Sequence, residues 1–310
     1  MVIVVTGAAG FIGQEVASRL IDRGHAPVLV DFWDAQVSRF EEMHASILPS
    51  VYRTFSRAER VLRPEEFLKW LGEGYRPDAI VHLGAVVDTT DMGQSGDLFY
   101  RNVDYTRRLV EACNRNPTSL VPGIVFASSA AVYGARGFPN NPYGLSKALA
   151  ERALMESRGE LAILRFFNVF GANEDHKGAM ASMPFKIAQA YRKGTLIDVH
   201  SLDAARDFVP VTTVAEKVVA YAEMLTRDHD EPTHREIEDL GTGFATTFRD
   251  LDNYIMQATN NLRTHVLEVQ IPPSVVGRYQ DYTCAGIKAR NCGLGSPSTR
   301  EGIEEIYGKR

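Results

Sequence analysis

The chain has 310 residues, 45% of them hydrophobic and 24% charged, which is enough apolar material for one large α/β body or two fused lobes and argues against a disordered chain. A formal net charge of −5, with scattered basic residues and no aromatic stripe between them, argues against a nucleic-acid or membrane surface. The three cysteines, Cys113, Cys284 and Cys292, form neither a C-x-x-C nor a metal spacing, and the eight histidines are dispersed with no H-E-x-x-H, so neither a disulfide framework nor a bound metal is expected.

In chain order, Met1 leads directly into the apolar run Val2-Ile3-Val4-Val5, with no basic leader and no small-residue cleavage site. A cytoplasmic protein is therefore expected. The runs Ile3–Thr6, Val28–Asp31, Ala79–Leu83, Ile124–Ser128 and Leu161–Arg165 read as buried parallel strands, with amphipathic helices between them. In the first helix Ile12, Val16 and Leu20 repeat every fourth residue and Gly24 stops it. Such alternation predicts a doubly wound (Rossmann) parallel α/β sheet. After Arg165 the rhythm breaks: helices are expected near Phe185–Arg192, Thr213–Leu225 and Phe248–Ala258, and a strand near Leu196–Val199. Residues 1–167 and 207–243 are assigned to a dinucleotide-binding domain, and 168–206 and 244–310 to a smaller, mainly C-terminal substrate lobe.

The segment Thr6-Gly7-Ala8-Ala9-Gly10-Phe11-Ile12-Gly13 follows a strand and opens a helix, so its N–H groups suit a pyrophosphate. Gly7 allows the tight turn, Gly10 a close approach to the phosphates, and Gly13 close packing of helix on strand. Asp31, eighteen residues after Gly13, stands where a carboxylate takes the adenosine ribose and favours NAD. Arg39 could neutralise the 2′-phosphate of NADP, or be a solvated charge, so the choice between NAD and NADP stays open. His82-Leu83-Gly84-Ala85 ends a strand and offers backbone to the nicotinamide side, with His82 read as a packed or hydrogen-bonded residue.

Ser129 ends another strand, and the chain returns at Tyr143-Gly-Leu-Ser-Lys147. Tyrosine and lysine four apart share a helix face, so the ammonium is expected to lower the phenol pKa and to reach the cofactor ribose. Ser129 would hold the substrate oxygen while Tyr143 moves its proton.

In order, T-G-x-x-G-x-x-G, H-x-G-A, S-S-A-x-V-Y-G, Y-G-x-S-K and R-F-F-N-V-F-G resemble the extended short-chain dehydrogenase/reductase family along nearly the whole chain. Within it, Glu174-Asp-His-Lys-Gly-Ala-Met-Ala-Ser182, Arg206-Asp-Phe-Val209, Asp239-Leu-Gly-Thr-Gly243 and Gly277-Arg-Tyr-Gln280 look most like the ADP-L-glycero-D-manno-heptose 6-epimerases, which supply heptose for lipopolysaccharide. The resemblance implies a tightly held NADP or NAD, a nucleotide-sugar substrate, a homo-oligomer, and transient oxidation at C6. It makes Lys177 a second acid/base opposite Tyr143, because hydride leaves one face of the carbon and returns to the other. From the residues alone, a surface-loop lysine is the plainer reading of Lys177. The resemblance also implies Asn102 as a cofactor contact, and Thr89, Asn168, Lys186, Arg206 and Tyr279 as substrate contacts.

The chain departs from those enzymes around the sugar. Val86-Val87-Asp88 replaces their Cys-Ser pair, Ala179 stands where serine is common, Lys186 where histidine is frequent, and only nine residues separate Tyr133 from Tyr143. These changes leave open a different nucleotide-sugar or carbon, or a net NAD(P)-dependent dehydrogenase or reductase. Ala130-Ala131 in place of an acidic pair disfavours dehydration.

Overall fold

A computed structural model describes residues 1–31, 57–87, 96–115, 121–134, 137–226, 234–261, 263–269 and 299–308. The chain divides into two compact units, 1–132 with 141–165 and 215–238, and 133–140 with 166–214 and 239–310.

A seven-stranded sheet has the order β11-β6-β5-β4-β1-β2-β3. Its strands are β1 (Ile3–Thr6), β2 (Val28–Val30), β3 (Arg60–Leu62), β4 (Ala79–His82), β5 (Gly123–Ser129), β6 (Leu161–Phe166) and β11 (Arg235–Leu240). From β3 to β5 every pairing is parallel. Side chains such as Val4, Leu29, Ile80, Ile124 and Ile163 have no solvent exposure, as strands covered on both faces require. The chain builds outward from β1 through β2 to β3, then places β4 on the other side of β1. That reversal opens a crevice beyond the carboxyl ends of β1 and β4, where doubly wound sheets bind dinucleotides. The five expected strands are present; β3 and β11, which sequence did not reveal, stand at the two edges.

Helix Phe11–Asp22 buries Gly13, Val16, Ala17, Leu20 and Ile21. Helix Pro64–Gly72 starts on a proline, with the Glu66 carboxylate accepting the Arg63 N–H, and buries Phe67, Leu68 and Leu71. Further on, Gly96–Phe99 and Tyr105–Asn114 are joined by a π-helical turn, Tyr100–Asp104. Phe67, Leu109, Ile80, Phe126 and Leu154 share one core.

The second unit contains three short strand pairs. Parallel β7 (Asn168–Phe170) and β10 (Phe208–Pro210) form one, antiparallel β9 (Ala205–Arg206) and β12 (Thr246–Thr247) another, and parallel β8 (Ile197–Val199) and β13 (Val266–Glu268) the third. This unit also holds 133–140, 166–167, 207–214 and 239–243, stretches that sequence assigned to the dinucleotide domain. Helices Met183–Lys193 and Phe248–Ala258 start on Ser182 and Thr247, whose side chains accept the N–H of Phe185 and of Asp250. They pack Phe185, Ile187, Leu251 and Ile255 against Phe170, Phe208 and Ile303 in a separate core. Helix Val211–Met224 covers the expected Thr213–Leu225 except its last residue. Among the described residues no helix is long and apolar enough to cross a membrane.

Candidate active site

Beyond β1 the chain turns through Gly7, at a φ of +68°, and enters helix Phe11–Asp22 with Gly10 as N-cap and no side-chain cap. Helix geometry leaves first-turn N–H groups without intrahelical acceptors, and a helix start with no side-chain cap suits an anion. A Cβ at Gly13 would lie 2.1 Å from the Gly7 carbonyl oxygen, and one at Gly7 would lie 2.7 Å from the Gly84 nitrogen. These glycines let the turn pack backbone to backbone on Gly84 and on the start of the helix, and Gly7, Gly10 and the first helical turn would hold a dinucleotide diphosphate there. Asp31, at the end of β2, accepts the Ala9 N–H at 2.8 Å, so the carboxylate expected at the ribose also ties down the phosphate loop.

At the end of β4, His82 is buried between two threonines, with Nδ1 2.7 Å from Thr6 Oγ1 and Nε2 3.0 Å from Thr106 Oγ1. Thr106 donates to the Asn102 carbonyl at 2.8 Å, and Thr6 accepts the Gly84 N–H at 3.1 Å. These directions assign a neutral imidazole carrying its proton on Nε2. Burial, aided by Lys147, pushes the His82 pKa down to about 3. Leu83, Gly84 and Ala85 follow directly. Asn102 is 2% exposed and pairs with protein: Oδ1 accepts the Val86 N–H at 2.7 Å, and Nδ2 donates to Val86 O and Ser146 Oγ, each at 2.9 Å.

Asn141 caps helix Pro142–Leu154 by accepting the Gly144 N–H, which places Tyr143 in the first turn and Lys147 one turn later. Both are buried, and Ser129, which accepts the Ala131 N–H, ends β5 near enough to act on the Tyr143 phenol. The expected lowering of the phenol pKa by Lys147 is not what this geometry gives. Burial pushes Tyr143 above its ordinary value, with the Ser129 hydrogen bond pulling the other way. Lys147 Nζ instead donates to the Ala127 carbonyl at 2.8 Å and lies 4.8 Å from the centre of the Phe126 ring. Burial lowers its pKa to about 7, opposed by the Glu151 carboxylate one turn along. Glu151, unremarked in the sequence, takes both Arg165 Nε at 3.0 Å and Nη2 at 2.7 Å, and accepts the Ser128 hydroxyl. Its spacing of four from Lys147 was the available signal.

In the second unit, Lys177 Nζ is 2.7 Å from Glu174 Oε2. The Glu174 side chain is fully buried and also accepts Ser182 N–H and O–H and the Gly171 N–H. Lys186 donates to the Ala179 carbonyl at 2.6 Å. Burial holds its pKa below the usual lysine range, against Glu174 and together with neighbouring Lys177. Asn168 donates through Nδ2 to the Asp207 carbonyl at 3.1 Å, and Arg206 through Nη1 to Ala205 O at 2.8 Å. The Asp207 carboxylate accepts three hydrogen bonds from Thr242 and Gly243, fixing the Leu-Gly-Thr-Gly turn. Arg39, Thr89 and Tyr279 lie outside the described residues.

Residues 3–234 match the sequence model of the NAD dependent epimerase/dehydratase family. The chain belongs to that family. It is a family of NAD-dependent enzymes. Three solved structures share the fold over almost their whole length. The UDP-glucose 4-epimerase of the hyperthermophilic eubacterium Thermotoga maritima, with UDP-glucose, gives a TM-score of 0.73 at 21% identity, over 99% of this chain and 97% of that one. The ADP-L-glycero-D-manno-heptose-6-epimerase of Helicobacter pylori gives 0.71 at 20%, over 98% and 94%. MoeE5 in complex with UDP-glucose and NAD gives 0.70 at 22%, over 99% and 97%.

Two outcomes follow from this geometry. Gly13→Ala should lower stability by about 1–3 kcal/mol, as overpacking does, and purify with far less NAD than wild type; urea denaturation and cofactor quantification check both. Lys147 titrates near pH 7 when folded but near 10.5 when unfolded, so between these values the unfolded chain binds more protons and stability rises with pH. Urea midpoints from pH 7 to 9 should show a rise of up to about 1.4 kcal/mol per pH unit in wild type relative to Lys147→Met.

Proposed function

We propose that the protein is a nucleotide-sugar epimerase that interconverts ADP-D-glycero- and ADP-L-glycero-D-manno-heptose by transient oxidation at C6. The observation that carries this reading is the complete Ser129, Tyr143 and Lys147 set in a chain that also places Lys177, in its His-Lys-Gly segment, on a buried carboxylate.

NAD, when bound, would supply the hydride acceptor and donor for the sugar carbon. Ser129 orients the sugar oxygen and Tyr143 exchanges its proton. With its pKa held up by burial, the phenol favours the acid half of that exchange. Lys147, one helical turn from the phenol, is assigned to the cofactor ribose. A hydride returned to the opposite face needs a proton donor on the other side of the carbonyl, and Lys177 fills that role. Glu174 fixes its position through the 2.7 Å ion pair. Lys186 and Asn168 are assigned to the sugar-nucleotide, and Arg206 to its diphosphate, for which a guanidinium fork is suited.

The test is to incubate the protein as purified, without added cofactor, with ADP-D-glycero-D-manno-heptose deuterated at C6 and to follow the sugar by NMR. The L-glycero epimer should appear with its label retained. Conversion only with added NAD(P), or at another carbon, would replace this reading with a net dehydrogenase or a different epimerase. Tyr143→Phe should lower kcat by about 10²–10⁴-fold, the usual worth of a general acid/base, with NAD retained. Lys177→Met should lower kcat/KM for both epimers by the same factor, as the fixed equilibrium constant requires; wild-type rates would remove its role.

A further inference from the structure

Where β7 ends, the two peptides around Gly171 are held by different partners. The N–H of Gly171 donates to Glu174 Oε1 at 3.0 Å, and its carbonyl accepts the Tyr307 hydroxyl at 2.8 Å. Glu174 is the hub of the loop that follows. The Ser182 hydroxyl reaches Oε1 at 2.6 Å, while the Ser182 N–H and the Lys177 ammonium share Oε2, each at 2.7 Å. Both oxygens are thereby occupied, and the Lys177 N–H adds a bond to the Glu174 carbonyl at 2.9 Å. The carboxylate is sealed from solvent, although Lys177 at its edge keeps 21% of its side-chain surface.

Tyr307 belongs to helix Thr299–Tyr307, which is seated on the strand pair β7–β10. Thr299 donates to the Phe208 carbonyl at 2.9 Å, and Ile303 is fully buried. At Gly302 a Cβ would lie 2.3 Å from Pro210 Cγ and 3.2 Å from Phe170 Cζ, so the helix comes closer to the pair than a side chain there would allow. Further along, the Tyr307 ring lies 6.5 Å from that of Phe170, with the Arg192 guanidinium 5.8 Å from its centre. Burial, and after it the Glu174 carboxylate, hold the Tyr307 phenol well above its ordinary pKa, so it remains a donor over the range in which enzymes work.

We infer that Tyr307 is a positioning residue for Lys177. It fixes the Gly171 carbonyl, the Gly171 N–H fixes Glu174, and Glu174 aims the ammonium, so helix Thr299–Tyr307, remote in sequence, sets where the second acid/base stands. Tyr307 acts through this loop and not on the sugar. A carboxylate aims an ammonium only while it is itself fixed and dry. Were the loop to lift, water would replace Gly171 and Ser182 as donors, and the ammonium would follow a solvated carboxylate. A displacement of about 1 Å of a reacting group is enough to cost on the order of 100-fold in rate. The inference rests on the reading of Lys177 as the second acid/base of the proposed epimerisation, whereas the contacts that carry it do not depend on the identity of the sugar.

Tyr307→Phe keeps the ring against Phe170 and removes only the hydroxyl. Competitive acetylation of the whole protein, read by mass spectrometry, should label Lys177 about 3- to 10-fold faster than in wild type, the equivalent of one hydrogen bond. Lys217, paired with Glu238 in the other unit, should be labelled at its wild-type rate. Amide exchange at Gly171 and Ser182 should rise by a similar factor while helix Phe248–Ala258 keeps its protection, which separates loosening of this loop from loosening of the unit. With C6-deuterated ADP-D-glycero-D-manno-heptose, kcat should fall about 10-fold with KM and bound NAD unchanged. The double variant with Lys177→Met should be no slower than Lys177→Met alone. Should Tyr307→Phe fail to fold, exchange in wild type decides: the Gly171 and Ser182 amides should open no faster than the hydrogen-bonded amides of helix Thr299–Tyr307, and faster opening would overturn the coupling. Wild-type labelling of Lys177 in Tyr307→Phe, or a rate loss that adds fully to that of Lys177→Met, would overturn the assignment. If wild-type protein does not turn over this sugar, the heptose reading fails, and labelling and exchange alone decide whether Tyr307 holds Lys177.

Discussion

The ends of β1 and β4 meet backbone to backbone at Gly7 and Gly84, and that approach leaves no room for a Cβ at Gly7. Everything on the cofactor side of the sheet is measured from this contact. It places the uncapped start of helix Phe11–Asp22 over the reversal in strand order, and Asp31 reaches across to hold the loop from below. It also fixes the chain direction after His82, and hence where Val86 meets Asn102. The sheet supplies the register; two glycines allow it to be used.

Around this contact the electrostatics are governed by burial more than by pairing. Burial is the first cause of the shifts at His82, Tyr143 and Lys147, and in each case it favours the neutral form. An imidazole kept neutral serves as a directional relay of hydrogen bonds, and a lysine brought near pH 7 shifts its charge over the range in which enzymes work. The Glu151–Arg165 pair beneath Ser128 is a different device. It is a bidentate, partly buried ion pair in which loss of one member would strand the other, at a typical cost of about 3–5 kcal/mol. It ties the last turns of helix Pro142–Leu154 to β6.

The interior of the fold was legible because its strands are continuous apolar runs, and Ile3–Thr6, Val28–Val30 and Ala79–His82 need no partner to announce themselves. β11 was not, and Arg235–Leu240 shows why. Its Ile237 is 47% exposed while Glu238 is buried, accepting the Tyr221 hydroxyl at 2.6 Å and lying 3.3 Å from Lys217. Hydrophobic alternation points the wrong way when an edge strand satisfies a carboxylate inside. The site divides along the same line. Gly7, Gly13, Tyr143 and Lys147 stand in spaced motifs whose spacing has a geometric cause, so they could be named in advance. Ser146, Glu151 and Glu174 act by holding something else, and a residue's partner is not written in its neighbours. The electrostatic role given to Lys147 failed for a related reason: spacing on a helix places two groups on one face, but burial decides what each does there.

The π-helical turn at Tyr100–Asp104 carries one residue more than the α-helical path between its flanks would need. Removing a single residue there would let the helix run straight through, with Gly96–Phe99 and Tyr105–Asn114 keeping their buried faces, and would swing Asn102 off Val86. One residue more or less there is a change of direction for a single carboxamide, made without disturbing the faces that the two flanking helices bury.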